Sequence, residues 1–272
     1  MLELIDAISS GQGPKVMVAV LLGLPRLAAV LAFCPFTAGE VFNGQMKSGL
    51  VLVLFLTLWP LIYHQTPDLP ALAASDWALV ALLAGKEVVV GFVLAFVSGI
   101  VFWAVQSAGF VMDNQRGASM ATESDPLSGQ ETSPLGSLFF QTAVLAFFLG
   151  GGVLVFFRVL YESYVFWPPA SFWPAFSGTG TPLFALRLVD WLQLQTVLLA
   201  GPVLAACLLA DVSLGLINRF ASQLNVYVLA MPIKSGLAMF MLIAYYVMLI
   251  NHMPSLFSTM FEQMSFLKVL WP

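Results

Sequence analysis

Residues 109–126 read GFVMDNQRGASMATESDP, a polar, charged, glycine-containing stretch between long apolar runs. Flanks of that kind belong to a membrane or to a large hydrophobic assembly, so the loop between them must do more than join two helices. Gly117, Ala118 and Ser119 are small enough to let backbones approach closely. Asp113 and Arg116 bring both signs of charge to a place where charge is costly. Their spacing admits a helix end that carries an i, i+3 ion pair. It equally admits a loop inside a conduit, sealed by small residues and the adaptable Met120.

The composition around this loop restricts the class. The chain has 272 residues, 60% hydrophobic and only 9% charged, with mean hydropathy +0.93. A soluble domain carries about 25% charged residues and 45–50% apolar ones. So few charges cannot cover so much apolar surface. The chain reads as a polytopic membrane protein, or as a subunit buried by sister subunits. Net charge is −4 and basic tracts are absent, which argues against nucleic acid and against a polybasic lipid switch. Cys34 and Cys207 sit in apolar runs and read as inert buried thiols. His64 and His252 add no metal-ligand spacing. The amino terminus, with Glu3 and Asp6, lacks the basic region of a signal peptide, so the first apolar run is expected to be retained.

Six apolar runs follow one another: about Val16 to Phe36, interrupted by Pro25 and Arg26; about Leu50 to Tyr63; Trp77 to Met112, divided by Lys86 and Glu87; about Leu138 to Phe157; about Leu192 to Ile217, with Pro202 and Asp211 inside; and about Val226 to Ile250. The second is short against the roughly 20 residues of a full crossing. The third is long enough for a short helix plus a long one, or for one long tilted helix. A stretch rich in aromatics and proline, Tyr161 to Pro182, suits an interfacial loop. The tail, 253–272, reads as a weakly amphipathic helix with Met, Phe and Leu on one side. Length and composition favour helix over strand throughout, so the expected class is all-α, of integral-membrane type. Charges and prolines inside the runs point to helices that face protein on most sides. The ten Lys and Arg are spread singly and set no membrane orientation. On a helix the adjacent Lys86 and Glu87 do not face each other, so each is expected to find a partner elsewhere.

A second polar stretch, DVSLGLINRFASQLNVYVLAMP at 211–232, gathers Asn218, Arg219, Gln223 and Asn225 between two apolar helices. It reads as a hairpin turn or as a polar contact surface for another subunit. Asp211 lies two helical turns before Asn218, a spacing that suits a polar stripe. Met231-Pro232 is expected to open the next helix, with Lys234 just behind. Nucleophile elbows, phosphate loops, zinc motifs and paired-carboxylate spacings are absent. The expectation is a protein without catalytic residues, cofactor or metal.

At these two stretches the chain resembles the FliR/SpaR/YscT/HrcT family, the SctT component of type III secretion export apparatuses. The resemblance is strongest in GFVMDNQRGASMATESDPLSGQETSPLGSLF and LGLINRFASQLNVYVLAMPIKSG. The DNQRG form at 113–117, QETSPLG at 130–136, Ser163-Tyr164, Trp167-Pro168 and AMPIKS at 230–235 resemble the virulence, or injectisome, branch rather than the flagellar one. Ser222 departs from the proline of many relatives. The resemblance implies a single export-apparatus domain over 1–272: an SctR-like part to about residue 190, an SctS-like helical hairpin over about 191–252 with its turn near Asn218 to Asn225, and the tail. It implies a non-enzymatic subunit of a hetero-oligomeric helical assembly in the bacterial inner membrane, packed with SctR-like and SctS-like subunits and with SctU as a neighbour, through which unfolded proteins are exported. In such assemblies the helices are raised out of the bilayer plane, which would explain the broken spans. Asp113, Asn114, Gln115, Arg116, Gly117, Ala118, Ser119, Met120 and Ala121 become the candidate channel plug. Asp211, Asn218, Arg219, Gln223, Asn225, Met231, Pro232 and Lys234 become the candidate subunit contact. The residues themselves leave a rival open, a small-solute transporter or channel with broken helices and Asp211 at membrane depth.

Overall fold

Seven α-helices make up the regular structure in the computed structural model, described for residues 13–37, 42–66, 74–117, 133–172, 180–220 and 226–270. They are α1 (Gly13–Phe33), α2 (Gly44–Gln65), α3 (Ala74–Arg116), α4 (Pro134–Leu149), α5 (Gly152–Phe166), α6 (Gly180–Phe220) and α7 (Val226–Leu270). No strand occurs among the described residues. Five helices are long and apolar enough to cross a membrane: α1, α2, α3, α6 and α7.

The helices correct the run boundaries in several places. Pro25 and Arg26 do not interrupt α1, which is continuous through both. The third run is one helix of 43 residues, because Lys86 and Glu87 are satisfied by packing rather than by a break. Residues 113–116, read either as a helix end or as part of the loop, are its last turn, so the helix-end alternative holds there. The fourth run is divided at Gly150-Gly151, where Gly151 takes φ +71, a conformation open to glycine. The sixth run and the tail form one helix of 45 residues with Pro232 and Pro254 inside it. The expected apolar side of the tail is present, with Met253, Leu256, Phe257 and Met260 buried at helical spacing. Cys34 and Cys207 are buried free thiols.

The chain forms two compact units, and each draws on several helices. The first holds residues 1–99, 153–184 and 259–272. Its core includes Val18 and Leu22 of α1 against Val80 and Leu83 of α3. α1 and α3 come very close at Gly91, where a Cβ would stand 2.6 Å from Arg26 O and 2.8 Å from Ala29 Cβ. That closeness brings the charges of the two helices together. Arg26 and Glu87 are both fully buried. Arg26 Nε and Nη2 donate to the two carboxylate oxygens of Glu87 at 2.6 and 3.0 Å, a bidentate pair. Arg26 also donates to Ser163 Oγ and to Trp167 O, and lies over the Tyr164 ring. Tyr164 in turn donates to Gly23 O, in the turn of α1 that carries Pro25. Lys86 donates to the carbonyls of Pro168, Pro169 and Ser171. Contrary to the sequence expectation, Lys86 also meets its neighbour Glu87. A long lysine stem folds back where a buried carboxylate offers the nearest negative charge. The excess positive charge of this knot is met by backbone carbonyls of the aromatic segment 167–171.

The second unit holds residues 100–152 and 185–258. Phe102 of α3, Phe147 of α4 and Phe257 of α7 form its aromatic centre, with ring centroids 5.3–5.7 Å apart. Thr142 and Tyr246 share a hydrogen bond between α4 and α7.

Candidate site at the base of the 118–132 segment

Asp113 stands on the last turn of α3, and its side chain is nearly fully buried. One carboxylate oxygen accepts from Arg116 Nε at 2.7 Å, the i, i+3 pair that the spacing predicted. The other accepts from Ser133 Oγ at 2.6 Å and from the Leu135 amide at 2.8 Å. Ser133 is the N-cap of α4, and its hydroxyl oxygen accepts the Gly136 amide. Pro134, at the first helical position, has no N–H to satisfy. The donors left open by the first turn of α4 are therefore met one by one. A carboxylate at the positive end of a helix adds favourable charge–dipole interaction.

Glycine brings the two helices together. A Cβ on Gly109 would stand 2.6 Å from Gly136 N and from Leu135 C and O. Only a residue without a side chain fits there. α3 ends as Gly117 turns with φ +87 and donates to Asn114 O. The DNQRG and SPLG sequences are thus one structural element, which clamps both ends of the segment between them.

That clamp also touches the α6–α7 pair within the same unit. Arg116 Nη1 donates to Ser235 Oγ at 3.2 Å. Gln115 Nε2 lies 3.5 Å from Asp211 Oδ2, and Lys234 Nζ lies 3.0 Å from Asp211 Oδ1. Met231 packs beside Gly117. Asp211 therefore turns to Lys234 on α7, while Asn218 and Arg219 are exposed near the end of α6. Asn114 is exposed. Pro232 does not open a helix, because α7 begins at Val226 and holds the proline within it. In so apolar a chain, helical hydrogen bonding of Val226 to Met231 outweighs the local cost of proline. Ala118, Ser119, Met120, Ala121, Gln223 and Asn225 lie outside the described residues.

Sequence reading named both groups but did not see that they meet. It also missed Ser133 and Gly109 as the groups that hold Asp113 in place, and Ser235 as the partner of Arg116. The signal for Ser133 was the N-cap pattern Ser-Pro-Leu-Gly just before an apolar run.

Apart from its fixed polar corners, this unit presents apolar surface. Only 22% of the α6 span window and 17% of the α7 window is buried. Such surface needs lipid or sister subunits to cover it. The class is therefore a polytopic helical membrane protein built to associate.

Residues 17–260 match the family described as bacterial export proteins, family 1, and the chain belongs to that family. It is 41% identical over 230 residues to the Yop proteins translocation protein T of Yersinia pestis, covering 84% of this chain and 86% of the relative. It is 32% identical over 222 residues to the secretion system apparatus protein SsaT of Salmonella typhimurium, covering 79% and 81%. Similarity to the flagellar biosynthetic protein FliR of Bacillus subtilis is lower, 29% over 162 residues, covering 60% and 62%. The chain therefore stands with the injectisome members rather than the flagellar ones.

Proposed function

We infer that this chain is a structural and gating subunit of a type III secretion export apparatus of the injectisome kind. It is a multi-pass protein of the bacterial inner membrane, within the base of the secretion system. We assign it SctR-like and SctS-like subunits as direct partners, SctU as a neighbour and unfolded proteins as cargo. The α6–α7 pair, with Asp211, Asn218, Arg219 and Lys234, is the side it offers to those partners. The segment that follows Gly117 is the closing element of the channel, and its role is steric rather than catalytic.

The observation that carries this reading is the Asp113 clamp. A closing loop has to be held at its ends. Charge-assisted hydrogen bonds, each worth about 1.5–3 kcal/mol, hold both ends of this segment. Arg116 and Gln115 also bond Ser235 of α7 and Asp211 of α6, so the base of this segment and the subunit contact share side chains.

The test is co-expression with the SctR-like and SctS-like subunits, extraction in mild detergent and a mass measurement of the purified complex. A stable mixed complex containing this chain is expected. A monodisperse assembly of this chain alone, indifferent to those partners, would sink the reading and favour a self-sufficient transporter.

A further inference from the structure

Past α5 the first unit reads Trp167-Pro168-Pro169-Ala170-Ser171. Two prolines in a row stop a helix and carry no N–H, so the carbonyls here must find donors elsewhere. The Trp167 amide still donates back to Ser163 O, and the chain then turns, with Ser171 N donating to Pro168 O at 3.1 Å. The Ser171 hydroxyl donates to the same carbonyl. This turn aims the carbonyls of Pro168, Pro169 and Ser171 at one place. Lys86 Nζ of α3 stands there and donates to them at 3.3, 3.2 and 2.9 Å. The Trp167 indole N–H donates to Ser171 O at 3.2 Å, which fixes the ring. The ammonium lies over that ring, 5.3 Å from its centroid. The Glu87 carboxylate completes the enclosure. The fourth carbonyl of the turn, Trp167 O, goes to Arg26 instead.

Charge decides what this arrangement selects. Arg26 and Glu87 already form a balanced pair, so Lys86 adds a positive charge with no carboxylate of its own. Such a charge is costly inside an apolar unit unless something receives it. Carbonyl oxygens aimed at one point repel each other, and a cation at their focus turns that repulsion into attraction. An aromatic face adds a cation–π contact, the means by which ammonium groups are recognised. A primary ammonium offers three N–H donors at one atom, which fits three converging carbonyls. A neutral hydroxyl has one donor and gives the ring nothing to attract.

We propose that the Trp167–Ser171 turn is a receptor for a primary ammonium ion, filled from within by Lys86. Lys86 is a positioning residue, and its charge rather than its stem holds the turn against α3. Neither the export role nor the depth of a helix in the bilayer enters into this site.

The experiment uses the full chain as it purifies, with or without sister subunits, so its result is separate from the export reading. Lys86→Ala removes a group with the outline of n-propylammonium. The Lys86 side chain is 8% exposed, so the vacated cage lies just beneath the surface of this chain. Lys86→Ala is expected to lower the thermal midpoint, and n-propylammonium should restore it with a saturable dose dependence. Propanol, of similar size without the charge, should not, and the wild type should respond to neither. Lys86→Met keeps the stem and drops the charge; it should melt low and gain nothing from either solute. A wild-type midpoint for Lys86→Met, or a Lys86→Ala chain indifferent to n-propylammonium, would overturn the proposal. Amine-specific methylation of the wild type needs no variant. Protection of Lys86 in the folded protein relative to the denatured one is the supporting result, and equal labelling in both would also overturn the proposal.

Discussion

Ser133 Oγ donates to Asp113 Oδ2 across 2.6 Å, joining residues twenty positions apart. The bond closes the segment between α3 and α4 at its base, and the Leu135 amide on the same oxygen makes the closure two-pronged.

Asp113→Ala should be the more damaging change of this pair. It leaves the Leu135 amide, the Ser133 hydroxyl and the Arg116 guanidinium without their acceptor, at about 1–3 kcal/mol for each group left buried. Ser133→Ala removes an N-cap at about 1 kcal/mol. Thermal midpoints of the purified complex check the order. A double-mutant cycle should show strong coupling, and additive effects would contradict the clamp.

Gly109→Val should prevent α3 and α4 from closing on each other. Its side chain would meet Gly136 and Leu135 backbone at 2.6 Å, and overpacking of this kind costs about 1–3 kcal/mol or more. The expected result is loss of the chain from the assembled complex on native gels. Gly85→Ala, where a Cβ meets nothing within 4 Å, is the control that should assemble normally.

Gly117→Val should disturb closure more than assembly. The position has φ +87, which a β-branched residue adopts only under strain. Secretion should fall, or the membrane should leak small ions, while the complex keeps its mass. Normal secretion together with an ion-tight membrane would remove the closing role from this loop.

Glu87→Ala should be severe, because it leaves Arg26 buried without its counter-charge. Breaking one side of a buried pair costs about 3–5 kcal/mol. Arg26→Met combined with Glu87→Leu should recover much of that loss, since apolar replacement of both partners removes the stranded charge. Steady-state amounts of the chain in membranes give the comparison. A double variant no better than Glu87→Ala would show that the pair does more than hold helices together.

The all-helical class was legible because apolar runs of this length allow little else. Asp113 and Arg116 were also legible as a pair, since both partners lie on one helix at a fixed spacing. The partner of Glu87 was not, because Arg26 is 61 positions away and helix periodicity says nothing across that distance. A sharper reading was available: a lone cation in one apolar run and a lone carboxylate in another each cost so much alone that pairing them is the cheapest solution. The end of α3 stayed open between helix and loop for a related reason. Residues 109–116 look polar by composition, yet buried Met112 and the clamped Asp113 hold them in the helix. The α6–α7 contact with Gln115 and Arg116 depends on how three helices pack, and no local pattern records it.

The lengths of α3, α6 and α7, at 43, 41 and 45 residues, bear on how the cell makes this protein. Each helix runs to about 60 Å or more, twice the roughly 30 Å of hydrocarbon available. The surplus is apolar and finds neither enough lipid nor a tolerable contact with water. A copy inserted without sister chains is therefore expected to be short-lived, and pulse-chase in cells lacking them would read it. Balanced synthesis of the subunits is then expected to set how much of this chain accumulates, since the proposed sister chains would supply the solvent that its long helices lack.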